Sequence, residues 1–197
     1  MWLALGSSYL LGSIPTAYLF VKGIKRVDVR RLGSGNVGAT NAARMAGGGV
    51  GLIVFLLDAG KGWLAARGCS TWWLGVPSTT AQLACGLMAV VGHVWPLFLR
   101  FKGGKGVATT LGVFLGTMPG VVAIFLVVWV ASLVCWRYVS VGSLLAALTI
   151  PLAQWAWHAP PAAIGLGTAF FLIIALRHRK NLQRLRQGTE PRVGRAH

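Results

Sequence analysis

The sequence VATTLGVFLGTMPGVVAIFLVVWVASLVCW, residues 107–136, decides the fold. It carries no charged side chain, so it suits hydrocarbon throughout. A spanning helix needs about 20 apolar residues. This run is too long for one untilted span and short for two. Met118-Pro119-Gly120 interrupts it, and proline disfavours a continuous helix there. Whether the chain crosses here once or twice fixes the side on which every later segment lies.

Further apolar runs cover residues 2–21, 49–66, 79–99, 139–157 and 161–176. The segments between them are basic. Lys22, Lys25, Arg26, Arg30, Arg31 and Arg44 follow the first run. Arg177, Arg179, Lys180, Arg184, Arg186, Arg192 and Arg195 follow the last. Positive segments stay cytoplasmic. An even number of spans must then separate these two, so residues 107–136 form two helices, the first short, turning near Pro119. The predicted fold is all-α: a polytopic membrane protein of seven transmembrane helices, N-terminus outside and C-terminus cytoplasmic. Arg100, Lys102, Lys105 and Arg137 fall inside too, Lys61 lies within a span, and Arg67 is left outside. Residues 1–197 read as a single membrane-embedded domain with a basic tail from about 177. The first apolar run lacks a basic n-region and a small-residue cleavage site, so it reads as a retained span.

Composition agrees. Hydrophobic residues are 55% of the 197 and charged residues 11%, with a mean hydropathy of +0.67. A soluble domain carries about 25% charged residues. Nineteen Lys and Arg against three acids give a net charge of +16. That balance calls for an anionic partner. Asp28, Asp58 and Glu190 are too few for a two-metal site and make a glycosidase carboxylate pair improbable. Cys69, Cys85 and Cys135 have no CxxC spacing and read as small core residues. Gly112 and Gly116 form a GxxxG, which favours close packing of two helices.

Three cytoplasmic segments carry the polar chemistry. The first contains Gly33, Ser34, Gly35, Asn36, Gly38, Thr40, Asn41 and Arg44. Glycines leave backbone N–H groups unobstructed, and the donors have no acidic neighbours, as a phosphate site requires. Asn41 and Arg44 share a face if the chain after Gly38 is helical. By itself the segment reads equally as a flexible loop at the membrane surface. The second runs Arg100-Phe101-Lys102-Gly103-Gly104-Lys105-Gly106 into a helix. Cations between glycines, ahead of a helix N-terminus, favour anions. The GxxxxGK[ST] pattern is absent, so nucleotide binding is not supported. In the third, His178, Asn181 and Arg184 recur every third residue and can line one helical face, with Glu190 nearby. A basic tail on anionic lipid is its other reading. His93 stands ahead of Pro96 as a structural or a catalytic histidine. Asp58 and Lys61, three apart within a span, read as a neutralising pair.

Nucleophile chemistry finds no footing. There is no GxSxG, no histidine followed five residues later by aspartate, and no metal-ligand spacing. An anion exporter would also want cations and broken helices, but its site belongs near the bilayer midplane. A lipid-anchored scaffold would make the Asn and Thr donors superfluous.

Gly12-Ser13-Ile14-Pro15, residues 34–41, Asp58-Ala59-Gly60-Lys61-Gly62, the Gly92-His93 to Thr109 block and the tail with Arg177, His178, Asn181, Arg184 and Gly188-Thr189-Glu190 occur in this order. In them the chain resembles the bacterial acyl-phosphate:glycerol-3-phosphate acyltransferases, PlsY-type membrane enzymes, over nearly its whole length. The resemblance implies transfer of an acyl group from acyl phosphate to the 1-hydroxyl of glycerol 3-phosphate. The products would be lysophosphatidic acid and phosphate, the first step of phospholipid synthesis. It implies catalytic positions at Ser34, Asn36, Lys105 and His178. It implies phosphate contacts from Gly35, Thr40, Asn41, Arg44, Lys102, Gly103, Gly104, Asn181 and Glu190. It implies no cofactor and no metal, membrane lipid as surroundings, no nucleic-acid partner, and an active face on the cytoplasmic side of the bacterial inner membrane. Which segment holds which phosphate, and the oligomeric state, stay open.

Overall fold

The computed structural model describes residues 1–194; Arg195 of the basic tail and His197 lie outside the described residues. The described residues form helices and turns with no strand. Two compact units divide the chain, Met1–Thr117 and Met118–His197.

In the first unit, α1 (Trp2–Gly12) and α2 (Thr16–Lys25) are broken at Ser13-Ile14-Pro15, where proline lacks the N–H that would continue the helix. Together they make a 24-residue candidate span. A 3₁₀ turn, Val29–Arg31, follows; Asp28 caps it by accepting from Arg30 N at 2.9 Å. α3 (Ala39–Ala46) starts after Gly38, as the sequence predicts. α4 (Gly48–Leu64) runs on through a π-helical turn, Ala65–Cys69, into α5 (Ser70–Leu74).

This corrects the span expected at 49–66. The helix is 27 residues long, about 40 Å at 1.5 Å per residue. Arg67, expected outside, lies within it, and exposed Trp72 and Trp73 mark its end. Aromatic rings at the headgroups and a snorkelling arginine suit that overhang.

α6 (Thr79–Val94) and α7 (Val107–Thr117) complete the unit. Glycines let helices meet backbone to backbone. A methyl group on Gly12 would overlap Ala89, and one on Gly112 would overlap the Ala59 carbonyl. The GxxxG is thus occupied within the chain, by α7 lying on α4.

The second unit holds α8 (Pro119–Trp136), α9 (Val139–Ala156), α10 (Pro161–Arg177) and α11 (Arg179–Arg186). Proline opens α8 at its first position, where a missing N–H costs nothing. The predicted turn therefore falls at Met118. Arg137, with φ at 60°, turns the chain between α8 and α9. α10 and α11 meet at 52°. Cys69 and Cys85 are buried as expected, but Cys135 is exposed on α8.

The protein is a multi-pass helical membrane protein. Among the described residues, five helical segments are long and apolar enough to cross a bilayer, or six if α10 and α11 count as one. α7 has 11 residues, about 16 Å, roughly half the hydrocarbon thickness.

Candidate functional site

Asn41 organises the first loop. It is 1% exposed. Its Oδ1 accepts from Ser34 N at 3.0 Å, and its Nδ2 donates to the Leu32 carbonyl at 3.0 Å and the Val29 carbonyl at 3.4 Å. Gly33 and Gly35 take positive φ, 54° and 69°, which lets the chain wrap around that amide. The structure thus uses Asn41 to hold the loop, where the sequence pointed to a phosphate contact. The face expected to be shared by Asn41 and Arg44 is split, with Asn41 turned inward and Arg44 exposed. Ser34 and Thr40 are exposed, and Gly35 and Asn36 half-buried. Nearby, Arg30 pairs with Asp28 at 2.6 Å. The hydrogen bond from Arg30 holds the Asp28 carboxyl below its ordinary range.

The glycine–lysine segment is clamped onto the end of α6. Gly103 N donates to the Val94 carbonyl at 3.2 Å and Gly104 N to the His93 carbonyl at 3.1 Å. Those two amides, expected as phosphate donors, bond to the α6 backbone in this structure. Both glycines are buried, Lys105 is half-buried and Lys102 exposed. A side chain at Gly103 would overlap the His93 carbonyl, and one at Gly104 would overlap the His93 ring. Gly106, with φ at 85°, turns the chain into α7.

Beneath this turn lies a buried ionic network. Asp58 Oδ1 meets Lys61 Nζ at 2.8 Å, accepts from Thr16 Oγ1 at 2.7 Å, and lies 3.4 Å from His93 Nδ1. Lys61 also donates to the Ile14 carbonyl at 3.1 Å, in the break between α1 and α2. Gly12, Ile14, Thr16, Lys61, His93 and Gly103 line a small cleft. The Asp58–Lys61 pair is as the spacing predicts. The Asp58–His93 contact was not legible, because 35 positions and two helices separate them. A signal did exist: intramembrane ionisable residues pair with one another, and Asp58 is the sole acid in any apolar run.

In the second unit, Glu190 gathers the tail. It accepts from Asn181 Nδ2 at 2.6 Å, Ser140 Oγ at 2.7 Å and Arg184 Nε at 2.8 Å. Burial pushes the Glu190 carboxyl up, but the hydrogen bonds from Asn181, Ser140 and Arg184 outweigh it and hold the carboxyl below its ordinary value. A carboxylate so occupied holds Asn181, Ser140 and Arg184 in fixed orientations. His178 stands at the bend between α10 and α11, with Nδ1 2.8 Å from the Ile174 carbonyl. His178 and Asn181 are buried. Ser140 was not singled out by sequence.

The fold and these clusters define a class: a multi-pass helical membrane protein with glycine-built turns, cations beside them, and every carboxylate matched to donors. Comparison narrows it. Residues 2–188 match the family model described as glycerol-3-phosphate acyltransferase. A glycerol-3-phosphate acyltransferase of Syntrophomonas wolfei is 45% identical over 188 residues, 94% of this chain and 93% of that one. One from Synechococcus sp. strain CC9902 is 43% identical, covering 98% and 94%. A crystal structure of PlsY (YgiH), an integral membrane glycerol 3-phosphate acyltransferase in its glycerol 3-phosphate form, matches with TM-score 0.90. It is 39% identical, over 97% of this chain and 94% of that one. Its lysophosphatidic acid form matches with TM-score 0.87 at 38% identity. The chain belongs to the glycerol-3-phosphate acyltransferase family.

Proposed function

We propose that the chain acylates glycerol 3-phosphate at its 1-hydroxyl, with acyl phosphate as donor, at the cytoplasmic face of a bacterial inner membrane. Family membership supports acylation of glycerol 3-phosphate to lysophosphatidic acid. The single observation that carries the chemistry is the glycine–lysine turn. It sets half-buried Lys105 between buried Gly104 and Gly106, just ahead of the first turn of α7. A helix N-terminus and a lysine attract phosphate.

Acyl phosphate is already activated, so no enzyme nucleophile is required. The hydroxyl oxygen attacks the carbonyl carbon, and the bond from that carbon to the phosphate oxygen breaks. The departing phosphate takes the hydroxyl proton and leaves as hydrogen phosphate. The protein supplies position and positive charge. In this scheme Lys105 and Lys102 neutralise a phosphate, and Ser34, Asn36, Thr40 and Arg44 offer donors from the first loop. His178 and Asn181 take part as well, and Gly35, Gly103, Gly104, Asn41 and Glu190 keep their own neighbours in place. The whole chain serves as one acyltransferase domain.

Seven crossings, N-terminus outside, complete the proposal. With α7 at half the bilayer thickness, its first turn then starts below the aqueous surface. A soluble phosphate and a lipid-borne acyl chain can meet at that depth. Purified protein given labelled glycerol 3-phosphate should form lysophosphatidic acid with acyl phosphate and not with acyl-CoA or acyl-carrier protein; the reverse preference would overturn the donor. A cysteine at Gly188 should resist an impermeant label in intact cells, and labelling there would defeat the seven-span arrangement.

A further inference from the structure

Asp58 does more than neutralise Lys61. It is 1% exposed, and one of its oxygens meets groups from three helices: Thr16 of α2, Lys61 of α4 itself and His93 of α6. A neutralising pair would need only the lysine. The Asp58 contact fixes the His93 ring by Nδ1. The opposite edge of the ring, Nε2, lies against Gly104, where a methyl group would overlap it and come within 2.6 Å of the Val37 carbonyl. The same two residues are joined by Gly104 N to the His93 carbonyl. The turn has no side chain of its own at Gly103 and Gly104, so its position depends on what it packs against. Lys105 is the next residue.

We propose that Asp58 is a positioning residue for acyl transfer: acting through His93, it holds the Gly103–Gly104 turn in the register that presents Lys105. The inference rests on the reading of that turn as a phosphate site. A group supporting a binding residue in this way commonly changes affinity while the fold survives.

The test pairs hydrogen exchange with kinetics. Asp58→Asn alone would strand Lys61 as a buried unpaired charge, so Asp58→Asn is combined with Lys61→Met; His93→Gln is made separately. Amide exchange across residues 100–106 should quicken about tenfold in both proteins, with α4 and α6 unchanged. Lys105→Ala identifies the substrate whose KM depends on the turn. Both variants should raise that KM about five- to twentyfold, leave the other substrate's KM alone, and show no further rise when combined.

Unchanged exchange at the turn in either variant, or exchange quickened equally in all helices, would reduce the network to a fold anchor and overturn the proposal. Wild-type kinetics for Lys105→Ala would instead defeat the phosphate reading of the turn. The exchange result would still uphold or overturn the link from Asp58 to the turn.

Discussion

Asp58 and Glu190 are both buried carboxylates, and each is met by three donors, yet their surroundings differ. Asp58 sits within α4, with its partners on α2, α4 and α6, each part of a candidate span. Glu190 follows α11 in the polar tail, and its partner Arg184 is about a third exposed. Neither is placed as a base. Each converts a set of flexible donors into a fixed one. The difference lies in burial: the ion-pair partner of Asp58 is itself almost fully buried, whereas the partner of Glu190 is about a third exposed. The same geometry should therefore break with very different severity in the two places.

Asp58→Ala should give the largest effect. Removing one partner of a buried ion pair costs about 3–5 kcal/mol. Thermal unfolding in detergent should show a large drop in Tm or loss of folded protein. The paired Asp58→Asn/Lys61→Met protein should recover most of it. If the alanine variant is as stable as wild type, Lys61 has found water, and the contrast with Glu190 disappears.

Lys105→Ala comes next, and separates holding from binding. Loss of one charge-assisted contact to phosphate costs about 1.5–3 kcal/mol, or roughly ten- to 150-fold in turnover or affinity, with Tm unchanged. Lys105→Arg should recover only part, because a forked guanidinium does not fit where a compact ammonium did. Turnover of the alanine variant within twofold of wild type would remove the segment from the site.

How much of this was legible in sequence varies residue by residue. The helix break at Met118 could be read because proline marks it. The start of α3 could be read from Gly38. The end of α4 could not. Its continuation through the π turn to Leu74 passes Arg67 and Ser70, polar residues at which an apolar run stops in sequence but a helix need not. The loop-holding bonds of Asn41 were not legible for a similar reason: a polar side chain in a polar loop looks like a ligand, and its turn inward onto three backbone groups depends on the folded loop. The Asp58–His93 contact depends on how α4 and α6 pack, and spacing along one chain does not encode that. Where local chemistry set the structure, the sequence sufficed; where packing set it, residue type misled.

His178→Gln tests whether either cluster contains a base. An essential general base contributes about 10²- to 10⁴-fold and leaves an acid limb in the pH–rate profile. If the departing phosphate takes the proton, His178→Gln should lose less than about 10²-fold and keep the limb. His93→Gln should do the same, although His93 has a carboxylate 3.4 Å away. A loss above about 10³-fold in one variant, with its limb abolished and binding intact, would name that histidine as the base and make its cluster catalytic.

The smallest effect is the most specific to Glu190. Its folded carboxyl titrates below the ordinary value near 4.5. A group with a depressed folded pKa adds stability that is fully present above the unfolded pKa and is lost as pH falls through the folded one. The tail should therefore be equally well held from pH 7 down to about 4.5, and loosen only below that. Exchange of the α11 amides, or protease cutting within residues 179–190, reads this directly. Asp28 titrates in the same direction, so the control must be local. Glu190→Gln should lower the protection of the α11 amides at pH 7, measured against intrinsic exchange at each pH, to a level that no longer depends on pH. A cost of about 1 kcal/mol is expected, because the amide oxygen still accepts from one donor but the charge matched to Arg184 is gone. If α11 in the wild type loosens with pH as steeply as in the variant, Arg184 and Asn181 are held by something other than Glu190. The tail carboxylate would then be a surface group, unlike Asp58 in every respect.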